Sequence, residues 1–239
     1  MDGGLDGGQR EVRRGQDRAT TPGAGTTTRH ALSYGAHHDP ANTAFGPLVL
    51  HEEHLLTPDA GFAEHPHRGL EVVTWVLAGE LLHEDATGGR AAVGPGVVQV
   101  LSCGTGVRHS EHAGAAPTRL VQAWLVADEP LGPPRHAVHD AGPALAAGGL
   151  VPVAGPGAPL ALACAGAGLA VARLDPGEAV VVPEAPLVHL HVGSGGLETP
   201  VRLAEGDALR LGGAPDVRVV AGERGAELLV WALPAPPPR

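Results

Sequence analysis

The sequence predicts an all-β protein made of two similar units in tandem, and three observations predict it. A chain of 239 residues is long enough for one large all-β domain or two small ones, each burying its own core. Short segments rich in Val, Leu and Trp recur between Gly and Pro turns at fairly regular spacing, the pattern of a sandwich or barrel. The halves also carry a weak internal repeat: Trp75-Val-Leu-Ala-Gly79 followed by Val93-Gly-Pro-Gly96 has a counterpart in Leu190-His-Val-Gly193 followed by Leu203-Ala-Glu-Gly206-Asp207.

Taken in order, residues 1–30 are Gly-rich and charged with almost nothing apolar to bury, and are expected to form a flexible tail. In the first unit, residues 31–145, the clearest strands are Leu70–Leu77, Val97–Leu101 and Arg119–Val126, because Val, Leu and Trp suit a half-buried pleated surface. Ala141–Ala147 has room for a turn or two of helix. It opens the Gly/Pro/Ala-rich stretch Ala141–Pro159, read as a linker, so the chain divides near Leu145. In the second unit, residues 146–234, the strands expected are Ala179–Val182, Leu187–Val192 and Leu228–Leu233. Residues 235–239 close the chain as a Pro-rich tail, since proline lacks the amide donor a sheet interior needs. The abundant alanine is weak evidence for helix here, because a chain whose basic residues are all Arg, with no Lys and no Ile, carries the mark of a GC-rich genome.

Composition excludes several classes. Sixteen basic against 26 acidic residues give a formal charge of −10, which offers no electrostatic footprint for direct nucleic-acid binding. The two cysteines, Cys103 and Cys164, supply neither a disulfide framework nor a Cys-based zinc site, and fit a reducing compartment. No apolar run reaches the roughly 18 residues that span a bilayer, and the first residues are too polar for a signal peptide. The expectation is a soluble, cytoplasmic protein without a membrane partner. There is no Walker loop, dinucleotide fingerprint or G-x-S-x-G elbow.

The chemistry concentrates in two short segments. His65-Pro66-His67 places two imidazoles two residues apart, and in extended backbone alternate side chains leave the same face. Pro66 favours that extension, because the residue before a proline is biased away from helix. His109-Ser110-Glu111 repeats the spacing after the glycine-rich Cys103-Gly-Thr-Gly-Val107. If the two segments face each other, three imidazoles and one carboxylate converge on one divalent ion. That donor set suits Fe(II), and also Cu, Ni, Mn or Zn.

Gly61-Phe-Ala-Glu-His-Pro-His-Arg-Gly-Leu-Glu-Val-Val-Thr-Trp-Val-Leu-Ala-Gly-Glu80, Gly94-Pro-Gly-Val-Val-Gln99, Gly104-Thr-Gly-Val-Arg-His-Ser-Glu111 and Gln122-Ala-Trp-Leu125 together resemble the signature of pirins and bacterial pirin-like quercetinases. Asp39-Pro40 and Phe45-Gly-Pro-Leu48 extend the likeness, which is strong from Asp39 to Leu125 and thins to pattern beyond. The resemblance implies a bicupin: two jelly-roll-type cupin β-barrels, with a metal in the first and none in the second. It carries the family's ligands onto His65, His67, His109 and Glu111. It further implies quercetin 2,3-dioxygenase activity on a flavonol-like aromatic substrate and O₂, with Glu111 as general base. It equally implies the alternative of a non-enzymatic, metal-dependent regulator that binds a protein partner.

Other residues are weighed beside these. Glu71 follows the His-x-His pair at the spacing of the carboxylate ligand in the wider cupin superfamily, and is read as a ligand or as an acceptor that orients an imidazole. Arg68 pairs with a carboxylate or is solvated. His189 and His191 are expected to face a groove or solvent, and His37-His38 and His51-Glu-Glu-His54 to be loop and edge-strand residues without the order of a metalloprotease motif. Cys103 reads as a small buried thiol. Val72, Val76, Val98, Leu101 and Trp124 are candidate pocket walls. The chain departs from the family at His51-Glu52-Glu53, and at Leu131-Gly-Pro-Pro-Arg-His136 in place of a Pro-Tyr segment, which bears on the pocket rim.

Overall fold

A computed structural model describes residues 9–198, 201–213 and 216–235. In chain order its strands are β1 (Gln9–Arg13), β2 (Thr20–Pro22), β3 (Thr26–His30), β4 (Leu48–Leu56), β5 (Gly61–His67), β6 (Leu70–Ala78), β7 (Leu81–Asp85), β8 (Arg90–Val93), β9 (Val97–Ser102), β10 (Val107–Ala113), β11 (Thr118–Val126) and β12 (Arg135–Asp140). After a short helix α1 (Gly142–Ala146) come β13 (Val151–Ala154), β14 (Gly168–Leu174), β15 (Ala179–Val182), β16 (Leu187–Glu198), β17 (Leu203–Ala204), β18 (Ala208–Gly212) and β19 (Val217–Leu233). The protein is all-β.

Among the described residues the strands form three sheets. A seven-stranded sheet, β12-β9-β6-β11-β4-β3-β2, and a four-stranded sheet, β5-β10-β7-β8, belong to the first half of the chain. An eight-stranded sheet runs β1-β18-β16-β19-β14-β13, with β15 on β19 and β17 on β16. Strand alternation sorts each side chain to one of two faces. On β6, Val72 and Val76 turn into the first unit, whereas Val73 and Trp75 turn out against the eight-stranded sheet and join a core shared with Val171, Leu229 and Trp231. The Trp75 indole donates to Glu227 Oε1 at 2.6 Å, and Arg173 Nε donates to Glu227 Oε2 at 3.1 Å, so this layer ties the two halves together.

The two interiors differ in kind. That of the second unit is filled by apolar side chains such as Leu190, Val192, Leu209, Val219, Leu228 and Val230. That of the first holds smaller apolar clusters and, between them, buried His54, Thr74, His83, Gln99, Glu111 and Gln122. Buried polar groups are costly unless they are partnered, so this concentration marks where function is built.

Several expectations need correction. Residues 9–30 are not a flexible tail: β1 pairs with β18, β2 and β3 extend the seven-stranded sheet, and Thr28 and His30 are buried. Polar anchors replace the missing apolar run, with Asp207 accepting from the Gly15 amide and the Arg14 guanidinium, both at 2.7 Å. Residues 1–8 of that expected tail, and 236–239 of the C-terminal one, lie outside the described residues. His51–His54 do not sit on an edge, because β4 lies between β11 and β3. His189 and His191 face neither groove nor solvent. Both are fully buried against His51, with ring centroids 4.6 and 5.1 Å from it. Val98 turns into the layer between the halves and is no pocket wall.

Candidate metal centre

β5 and β10 run antiparallel with His109 opposite His65 and Val107 opposite His67, so the two segments singled out in the sequence do face each other. The register slips between His109 and Glu111, which sets Glu111 opposite Phe62. At Gly61 the strands approach so closely that any Cβ would collide with the Glu111 carbonyl and the His112 Cα. Only glycine fits there.

One ring nitrogen from each of His65, His67 and His109 lies within 4.8 Å of the other two. His65 Nδ1 meets the Ala63 carbonyl at 2.8 Å, which makes Nδ1 the protonated nitrogen and leaves Nε2 with a bare lone pair. That Nε2 stands 3.1 Å from His109 Nε2. His67 Nε2 and His109 Nδ1 are buried without a partner. Burial, then the neighbouring His65, pushes His67 down to about 4 despite Glu111, and burial does the same to His109. Three imidazoles whose ring nitrogens converge, with His67 Nε2 buried and unpartnered, are a donor set that fits a divalent metal.

Glu111 sits one step deeper. It groups within 4.8 Å with His109 and His83, and the triad of His65, His67 and His109 forms without it. Its Oε1 accepts from Gln99 Nε2 at 2.7 Å and His83 Nδ1 at 3.4 Å, and its Oε2 accepts from Gln122 Nε2 at 2.8 Å. Burial alone would raise this carboxyl, but the bond from His83, the charges of His109 and His83, and the Gln122 amide bring it down to about 2.

Sequence reasoning missed His83, Gln99 and Gln122. His83-Glu84-Asp85 has the same alternate spacing as the other pairs, and each glutamine is a lone polar residue at an inward position of an apolar strand. Those were the available signals. His83 Nε2 also reaches Asp85 Oδ2 at 3.2 Å, and His136 stacks on its ring with centroids 4.1 Å apart. His83, Asp85 and His136 bring donor atoms together, but the two ring planes lie only 12° from parallel, and an ion must lie near both planes to be bound by both. This cluster supports Glu111.

Glu71 is no part of the site. It lies on the face of β6 opposite Val72, where it accepts from Ser102 Oγ at 2.8 Å. Cys103 is buried, and its thiol is pushed up to about 12 by burial first and then by Glu71 and Glu111. Arg68 is exposed.

Beside the triad, His67 borders a shallow depression of about 680 Å³ with Pro66, Arg68, Thr87, Val107 and Arg108, while His65 and His109 do not line it. The Trp124 ring packs edge-on against His67 at 4.6 Å, and Tyr34, 45% exposed, packs edge-on against Trp124 at 5.1 Å. The segment starting at Leu131, expected to bear on the pocket rim, packs on Gly69 and Gly104 and is not among the residues that line the depression.

A sequence profile of the pirin family matches residues 12–125. A Mycobacterium tuberculosis protein bearing the name "Putative quercetin 2,3-dioxygenase" is 39% identical over 94% of this chain and 95% of its own length. The chain belongs to the pirin family. Within that family, the quercetin 2,3-dioxygenase of Escherichia coli K12 is 34% identical over 42% of this chain and 44% of its own. The crystal structure of the bacterial pirin YhhW from Escherichia coli, in complex with nickel(II), superposes with a TM-score of 0.86 at 25% identity, over 95% of this chain and all of that one. The pirin fold and a family capacity for metal thus stand beside the His/Glu cluster.

Proposed function

We propose that this pirin is a metal-dependent dioxygenase that cleaves quercetin or a similar flavonol with O₂. In this reading His65, His67, His109 and Glu111 hold one divalent ion, Fe(II) or another of Cu, Ni, Mn and Zn. The metal-binding unit ends near Leu145, and the second unit, filled with apolar side chains, holds none. The observation that carries the reading is that three imidazoles from the facing strands β5 and β10 converge, with Glu111 beside His109, in a donor set of the kind that holds a reactive divalent ion.

A bound divalent ion supplies Lewis acidity and a fixed meeting point for the neighbouring hydroxyl and carbonyl oxygens of a flavonol. The chain's own groups do the rest. His65, kept in one tautomer by the Ala63 carbonyl, presents Nε2 in a fixed direction. Glu111, held ionised, accepts the hydroxyl proton through the same free Oε2 position by which it would hold the ion, so the two roles alternate. Trp124, packed on His67, and Tyr34, packed on Trp124, offer aromatic surface to a planar substrate beside the triad. Both atoms of O₂ enter the ring-opened product, and one ring carbon leaves as carbon monoxide.

The test is anaerobic reconstitution with each metal, then O₂-dependent loss of the quercetin absorbance band with carbon monoxide detection. His67→Ala is expected to lower metal content and Glu111→Gln to keep the fold, and both are expected to abolish turnover. A stably bound metal without turnover in any form would favour the regulatory reading or another substrate.

A further inference from the structure

The Glu111 carboxylate has four acceptor positions, and three are occupied: two on Oε1, by Gln99 and His83, and one on Oε2, by Gln122. A glutamine can present either its amide nitrogen or its carbonyl to a neighbour, so something must fix which end faces Glu111. On the Gln122 side, Trp124 Nε1 donates to Gln122 Oε1 at 3.1 Å, and indole nitrogen can only donate. On the Gln99 side, His136 Nε2 stands 3.1 Å from Gln99 Oε1. Because the Gln99 nitrogen is committed to Glu111, His136 must donate from Nε2. Each oxygen of Glu111 is therefore met by an amide, and each amide is oriented from behind by an aromatic N–H.

We infer that His136 and Trp124 are positioning residues that, through Gln99 and Gln122, fix the Glu111 carboxylate so that one acceptor position, on Oε2, is left for the metal. The inference rests on the proposed metal centre and deepens it. It also gives a role to the segment Leu131–His136, where the chain departs from its family. That segment is tied to the glycine turn before β10 by the Thr105 amide bond to the Gly132 carbonyl at 2.9 Å, and it delivers His136 onto the ring of His83.

The test compares His136→Phe, which keeps a stacking ring and loses the N–H, with His136→Tyr, which restores a donor. Trp124→Phe probes the other side. Each protein is loaded with Co(II), and the visible d–d spectrum and the Co(II) dissociation constant are measured. The Phe variants are expected to change the d–d band and weaken Co(II) binding about 10-fold, and His136→Tyr to recover both. A spectrum unchanged in both Phe variants, with affinity within about twofold of the parent, overturns the inference while leaving the metal centre standing. Failure of the unsubstituted protein to bind Co(II) overturns the metal centre itself, and the inference with it.

Discussion

At the scale of single residues, the direction of a side chain decides its role more than its type does. Glu71 and Glu111 are both buried carboxylates, yet they leave their strands toward different layers. Glu71→Ala is accordingly expected to cost about 1–3 kcal/mol of stability, through the lost bond to Ser102 and the space left behind, and to leave metal stoichiometry unchanged. Urea unfolding and metal analysis check the two halves of that statement. Alternate spacing made the convergence of His65, His67 and His109 legible in the sequence, with Glu111 one step deeper beside His109, because that spacing depends on neighbours in the chain. The direction of Glu71 was not legible, since its face is fixed by which sheets pack on β6. The roles of Gln99 and Gln122 were equally out of reach, because they converge on Glu111 from β9 and β11, strands brought to it only by the fold.

At the scale of elements, the β5–β10 pair is the frame of the site, and its closest approach is at Gly61. Gly61→Ala forces β10 away at Glu111. It is expected to destabilise the fold by about 1–3 kcal/mol, as overpacking does, and to lower metal affinity more than Gly79→Ala, whose crowded neighbours are Pro117 and Thr118, away from the site. Isothermal titration with Zn distinguishes the two. Strands expected from apolar runs all formed, with ends that moved: Leu228–Leu233 is the end of the 17-residue β19, whose earlier part pairs with β15. Polar β1 and β3 were invisible to hydrophobic patterning, because strand pairing and ion pairs such as Arg210–Glu11 and Arg29–Glu53 hold them in place.

At the scale of the whole molecule, the layer between the halves buries His51, His189 and His191 among Arg18, Arg119, Arg210 and Glu53. Burial first, and then the neighbouring arginines and histidines, hold all three imidazoles well below 6.5. Above pH 6.5 they are neutral folded and unfolded alike. Below it the unfolded chain takes up protons that the folded one refuses, so stability falls with pH. Each is expected to lose about 1 kcal/mol between pH 6.5 and 5.5. Glu52, raised to about 7 by burial, works the other way, its stabilising share being lost as pH rises from 4.5 toward 7, and it returns roughly the amount of one histidine. Urea midpoints at pH 6.5 and 5.5 should drop for the parent and drop less for His189→Gln. A midpoint that does not move between the two pH values would contradict this account.

The pairing of β1 with β18 joins Gln9 to Gly212. During synthesis β1 must therefore wait for about 200 residues more before it meets its partner, a long-range closure that belongs late in folding. Until then the partner edge of β18 stays unpaired, and the acidic Asp207 lacks its Arg14 bond. β1 thus acts as a latch on the second unit's sheet, and a bulky fusion placed ahead of it bears on that closure.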